Sequence, residues 1–163
     1  MTQPEHSLSI REFQAGDEAA FYRLNEEWIT QFFSTLEPLD LAYLEDPQHK
    51  ILERGGRIFL ATLEGQAVGC CALVPIAPWE FEVAKMGVTG QLRGSGIGRR
   101  LLERIVAEAR AMGARRLYIE TNRTLGPAIH LYESIGFRHL PPERIAPSPY
   151  ARANVFLEMF LDN

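Results

Sequence analysis

Apolar and polar positions alternate from Leu8 to Phe13, which predicts a first strand. After Asp17, which suits a helix N-cap, the period changes. Phe21, Leu24, Trp28 and Phe32 recur near helical spacing and predict a helix to about Phe33. A broken helical stretch follows from Leu39 to Arg54, interrupted by Pro47 and ended by Gly55-Gly56. Ile58 to Leu63 and Ala67 to Val74 are strand-like apolar runs, joined through Glu64-Gly65-Gln66 as a hairpin. Pro75 and Pro78 then separate a fourth strand, Glu80 to Val88. A helix is expected from about Gly96 to Met112, because Ile97, Leu101, Leu102, Ile105, Val106, Ala109 and Met112 share one stripe and Gly113 suits the C′ position. Arg116 to Thr121 reads as a strand, Pro127 to Ile135 as a short helix ended by Gly136, and Val155 to Leu161 as a final strand. Between them, Pro141 to Tyr150 carries four prolines and reads as a loop.

This order predicts an α+β fold: one mixed, mostly antiparallel sheet of six to seven strands with about four helices. At 163 residues the chain suits one domain, residues 1–163 with a core over 7–161. The sequence has no apolar run of membrane-spanning length, and Met1 to His6 lacks a signal-peptide pattern. The two cysteines, Cys70 and Cys71, are adjacent and point to opposite faces of a strand, so neither a disulfide nor a metal site is expected. His6, His49, His130 and His139 are scattered without paired ligand spacing. The expectation is a cytoplasmic protein, monomer or homodimer, with no membrane partner and no metal.

A net charge of −4 argues against a general nucleic-acid binder. The distribution is uneven, however. Glu12 to Glu53 holds ten acids against two bases, and Lys85 to Arg123 nine bases against three acids. Such a chain suits a cationic ligand held beside an anionic one; two differently charged solvated surfaces would leave the same pattern.

The basic part contains the chain's most specific feature. Thr89 to Leu101 packs four glycines and three arginines directly before a helix. A helix N-terminus presents unpaired N–H groups and the positive end of its dipole, and glycines let consecutive amides face a ligand. Arg93, Arg99 and Arg100 are disfavoured by that dipole unless a polyanion offsets them. A P-loop is excluded, since Arg99 and Arg100 follow Gly98 where Lys and Ser/Thr are required. A dinucleotide fingerprint fits poorly: Gly94-Ser95-Gly96 begins it, but Arg99 stands at the third glycine.

Gln91-Leu92-Arg93-Gly94-Ser95-Gly96 resembles the Gln/Arg-x-x-Gly-x-Gly/Ala signature of the GNAT family of N-acetyltransferases, although Gly90 replaces a common proline. Leu117 to Asn122, followed by Ala128-Ile129-His130-Leu131-Tyr132-Glu133-Ser134-Ile135-Gly136-Phe137, resembles the family's second motif. The resemblance spans the chain, most securely Glu80 to Phe137. It implies acetyl-CoA as cosubstrate, a sheet splayed between the fourth and fifth strands, and a primary amine as acceptor. The pyrophosphate would lie on Arg93, Gly94, Ser95, Gly96, Ile97, Gly98 and Arg99, with the pantetheine arm along the backbone of Met86 and Val88. Asn122 would hydrogen-bond that arm, or simply form a turn. A carboxylate must free the amine, which is protonated at neutral pH. Glu82 stands where the family often places it, with Glu80 and Glu27 as other options. Tyr132 matches the family's proton donor to the departing thiolate, though its spacing with Ile129 and Ile135 also suits a core aromatic. Tyr150 to Asn154 either faces the acceptor or anchors a loop. The acidic first third favours cationic acceptors. A non-catalytic acetyl-CoA-binding sensor or partner-binding module is the alternative.

Overall fold

The structure, a computed structural model, describes residues 7–161. Strands β1 (Leu8–Glu12), β2 (Arg57–Leu63), β3 (Gln66–Ala77) and β4 (Glu80–Val88) form an antiparallel meander. β5 (Arg116–Thr121) runs parallel to β4, and β7 (Val155–Phe160) and the two-residue β6 (Arg138–His139) complete the order β1-β2-β3-β4-β5-β7-β6. Helices α1 (Glu18–Phe33) and α2 (Pro38–Glu45), with one π-helical turn (Gln48–Leu52), cover one face. Helices α3 (Ile97–Ala111) and α4 (Gly126–Ile135) cover the other. The predicted fold class is the observed one.

Alternation within the strands fills both cores. On β2, Ile58 and Leu60 pack with Phe21, Leu24 and Ile51, while Phe59 and Ala61 pack with Leu101, Leu102 and Ile105. Cys70 and Cys71 divide the same way, each completely buried. Burial pushes the Cys70 thiol up to about 12 and that of Cys71 higher still, so both stay protonated packing residues.

Three local features depart from the sequence reading. β3 continues through Pro75 to Ala77 instead of ending at Val74. β2 pairs with β3 only as far as Leu73, so Pro75 lies beyond its neighbour and has no ladder bond to forfeit on that side. β6 is too short to leave a pattern. In α1 the buried set is Phe21, Leu24, Asn25 and Ile29, which leaves Trp28 and Phe32 facing a groove.

Candidate active site

β4 pairs with β5 only over Glu80↔Arg116, Phe81↔Leu117 and Glu82↔Tyr118. Beyond Glu82 the two strands part. A bulge reinforces the opening: Cys70 pairs with Gly87 and Ala72 with Ala84, leaving Lys85 and Met86 opposite Cys71. Lys85 takes φ +54, a conformation a non-glycine residue rarely adopts. The inserted residue reverses the alternation. Phe81 and Val83 face the α3 core; after the bulge, Met86 and Val88 do so, and Lys85 turns towards α2.

Backbone groups along the parted stretch are exposed to the gap. The Thr89 amide donates to Val68 of β3 at 2.9 Å. By strand alternation Gly87 also points to β3, so the amides of Met86 and Val88 point away from it, into the fork. There a groove of about 620 Å³ runs between Met86, Gly87 and Val88, the 92–99 loop, and Thr124, Leu125, Ala128 and Leu131 at the start of α4. Trp28 and Phe32 of α1 form its outer rim. Gly87 admits that helix: a Cβ there would lie 2.7 Å from the Trp28 ring and 2.9 Å from the Leu24 carbonyl.

At the groove's mouth, Gly94 and Gly96 have φ +83 and +90, and a Cβ at either would meet nothing within 4 Å. The first α3 bond runs from the Arg100 amide to the Gly96 carbonyl, so the amides of Ile97, Gly98 and Arg99 precede the helical ladder without a capping side chain. This cradle of free amides fits a phosphate group. The arginines are less free. Arg93 donates to the Val88 carbonyl at 3.3 Å and to Gln31 at 2.6 Å, lies 3.8 Å from Glu27 and covers the Phe32 ring. Arg99 lines the groove while donating to Ser134 of α4 at 2.8 Å. The Ser95 hydroxyl donates to the Leu92 carbonyl.

On the α1–α2 side of the fork lies a pocket of about 60 Å³, lined by Glu82, Ala84, Lys85, Glu120, Thr121, Asn122, Phe33, Tyr150, Arg152 and Ala153. Lys85 lines this pocket and Met86 the groove, so consecutive residues of β4 separate the two. Beneath it Asp40, wholly buried, accepts from Lys85 Nζ at 2.7 Å and from both terminal nitrogens of Arg152 at 2.6 Å. Burial would raise the Asp40 pKa, but Arg152 and then Lys85 hold it at about 2. Asp40 also takes the Glu37 amide in the capping box of α2, so helix start and ion cluster are one construction. Lys85 donates further to the Tyr150 hydroxyl at 2.9 Å, and the Arg152 guanidinium lies against the rings of Tyr150, Phe33 and Trp28.

Of the three carboxylates considered as bases, only Glu82 lines the pocket. Desolvation, then the nearby Glu120 charge, push its pKa up to about 7 against the opposing pull of Lys85. Its oxygens make no hydrogen bond among the described residues. Since no fully buried side-chain polar atom there lacks a partner, they open onto the pocket. Glu80 is paired with Arg116 at 3.0 Å. Glu27 accepts the Gly90 amide at 2.7 Å and holds the glycine loop to α1.

Tyr132 is 8% exposed and packs edge-on against Phe137 in the α3 core. Its hydroxyl makes no hydrogen bond among the described residues, and by the same reasoning it keeps contact with solvent. Burial, then the neighbouring Cys71 thiol, raise its pKa, so the phenol stays protonated. The Asn122 side chain is engaged in a turn, donating to the Arg152 carbonyl at 2.6 Å and accepting from Thr124. Tyr150 and Arg152 both line the pocket and anchor the loop, since the Ala151 and Arg152 amides donate to Glu37. The Lys85–Asp40–Arg152 cluster is absent from the sequence reading. Its one visible sign is a lysine that breaks the parity of Phe81 to Val88. Among the described residues no group of three His, Cys, Asp or Glu side chains is placed to hold a metal, and no helix is long and apolar enough to cross a membrane.

A sheet forced apart between two parallel strands, above a glycine-rich helix start, is the architecture of an acetyltransferase fold. The chain belongs to the acetyltransferase (GNAT) family, whose model matches residues 21–137. It is 34% identical over 142 residues to an amino-acid acetyltransferase of Azotobacter vinelandii, a match covering 83% of this chain. The chain spans only about a third of that relative's length (31%). Among solved structures, a GNAT-family acetyltransferase from Staphylococcus aureus superposes with TM-score 0.86 at 21% identity, covering 96% of this chain and 100% of the other. The protein yncA of Salmonella typhimurium, solved with acetyl-CoA, superposes with TM-score 0.73 at 20% identity, covering 96% of this chain and 95% of the other.

Proposed function

We propose that the chain is an acetyl-CoA-dependent N-acetyltransferase that moves an acetyl group directly to a primary amine. The observation carrying this reading is the fork itself, where a groove lined by unpaired β4 amides adjoins a pocket holding the unbonded carboxyl of Glu82. The amides of Ile97, Gly98 and Arg99, with the loop Gly94-Ser95-Gly96, hold the pyrophosphate, with Arg93 and Arg99 beside it. Met86 and Val88 offer backbone groups to the pantetheine arm as an added strand would. Acetyl-CoA supplies an activated acyl carbon and a thiolate leaving group. Asn122 shapes the wall by fixing the turn after β5.

In the net transfer a C–N bond replaces the C–S bond. Glu82, with a pKa near neutrality, takes the proton that the amine must lose. Tyr132, kept protonated by burial and open at its hydroxyl, supplies the proton that sulfur gains. The neighbouring Ala128 and Leu131 line the groove, one turn and one residue before it. The Azotobacter relative's name suggests an amino acid among the acceptors to test first. Calorimetry with acetyl-CoA and CoA release across an amine panel test the proposal. Binding with CoA release is expected; binding without release from any amine leaves a cofactor-binding module instead.

A further inference from the structure

The acceptor pocket has a charge balance that specifies what enters it. Its two cations are spent. Lys85 is locked to Asp40 and Tyr150, and Arg152 binds Asp40 with both terminal nitrogens and lies 3.4 Å from Glu37. These four charged groups, Lys85, Arg152, Asp40 and Glu37, sum to zero. The remaining charges on the lining are Glu82 of β4 and Glu120 of β5, on opposite sides of the fork. Glu120 accepts from the Tyr118 hydroxyl at 3.0 Å and the Ser148 hydroxyl at 2.6 Å. Both donors are neutral, so they orient that carboxylate without cancelling its charge. Glu82 has no hydrogen-bond partner and opens onto the pocket, which marks a place for a donor that the protein does not supply.

Resting on the acetyltransferase reading, we propose that the pocket takes a small cationic amine with no carboxylate beside the reacting nitrogen, and that Glu120 is the residue that determines this specificity. The reacting nitrogen lies at Glu82, and Glu120 attracts the cation across the fork. A free amino acid would set its carboxylate against Glu82 and Glu120, and would meet in Arg152 a guanidinium whose charge Asp40 and Glu37 already balance. With its carboxylate masked as an ester, the same molecule loses that repulsion and keeps its amine. The pocket's volume of about 60 Å³ restricts the portion that enters to a few heavy atoms.

The test compares matched acceptors: amino acids against their methyl esters, with simple alkylamines and diamines, followed by acetyl-CoA-dependent CoA release. Esters and alkylamines are expected to exceed the free acids in kcat/KM by about tenfold or more. Glu120→Gln, whose amide oxygen can accept from one of the two hydroxyls while its NH2 donates to the oxygen of the other, should shrink that gap to about threefold or less through the acceptor KM, with the acetyl-CoA KM unchanged. Free acids turned over as well as their esters overturn this inference and leave the acetyltransferase reading intact. A gap that persists in Glu120→Gln removes Glu120 from the proposal. Acetyl-CoA binding with no release from any acceptor overturns both readings.

Discussion

The groove along β4 is walled mainly by backbone, glycines and apolar side chains, with Arg93, Arg99 and Thr124 as its polar side chains besides the Trp28 indole, whereas the pocket beside it is walled by charged side chains drawn from distant parts of the chain. Apart from Trp28 and Thr124, the groove's polar surface comes from β4 and from a short segment, Leu92 to Arg99, that leads into α3. The pocket needs Asp40 and Arg152 to meet across 112 positions, and Lys85 to join Asp40 across 45. The two are suited to different tasks. Backbone amides recognise the invariant parts of a cosubstrate and tolerate side-chain change; a set of charged side chains can be re-specified by single substitutions.

The pocket is therefore where a single change does most. Glu82→Gln keeps the shape but removes the proton acceptor. Its kcat/KM should fall by about 10²- to 10⁴-fold, with acetyl-CoA affinity by calorimetry nearly unchanged. The same variant should be more stable. Burial raises the Glu82 pKa from 4.5 to about 7, so the folded state disfavours the charged carboxylate. That penalty is absent below the unfolded-state value and complete above about 7. Glu82→Gln should thus gain up to about 3 kcal/mol at pH 8 and nothing at pH 4, read by denaturation at both. In the parent protein kcat/KM should rise with pH to a plateau above about 7. A profile flat from pH 5 to 9 would remove Glu82 as the base.

Asp40→Ala comes next. It leaves the buried Lys85 with no carboxylate in contact and Arg152 with only Glu37, and should cost about 3–5 kcal/mol in urea denaturation. A loss below about 1 kcal/mol would show that the cluster is not what holds the pocket together. Tyr132→Phe should lower kcat by about 10- to 100-fold while leaving acetyl-CoA affinity within about twofold. Equal losses in both would make it a packing residue alone.

These expectations also show how much of each region can be read from sequence. The groove's parts lie close together in the chain: glycines before a helix stripe, an apolar strand before the glycines, and Leu-Tyr-Glu-Ser-Ile-Gly-Phe after them. The sequence of helices and strands along the chain, except for the two-residue β6, follows from the same periodicities. The pocket is legible only in pieces. Asp40 falls in the broken helical stretch after Leu39, and Arg152 in Tyr150 to Asn154, which can be read as facing the acceptor or as anchoring a loop; neither position records its partner. Lys85 offers a trace, since polar residues at 80 and 82 give way to one at 85. That slip is a bulge, and bulges depend on the neighbouring strand's register as much as on local sequence. Glu27 fails as a guide for the same reason: its carboxylate is taken by the Gly90 amide, 63 positions away.

The groove should respond to smaller effects, and differently to backbone and side-chain changes. Gly96→Ala puts a Cβ into open space, so any loss comes from φ +90 and not from a clash. The strain of about 1–2 kcal/mol should tilt the loop away from its binding form and weaken acetyl-CoA affinity by roughly 5- to 30-fold. Arg93→Ala removes a full charge from the same loop, yet should do less. Its guanidinium is already held by Gln31, the Val88 carbonyl and the Phe32 ring, with Glu27 offsetting its charge. Partly exposed and partly neutralised, it should contribute about threefold or less to affinity. The decisive comparison is the order of the two variants. If Arg93→Ala weakens binding more than Gly96→Ala, with a steep dependence on salt, then side-chain charge and not the amide cradle holds the anion.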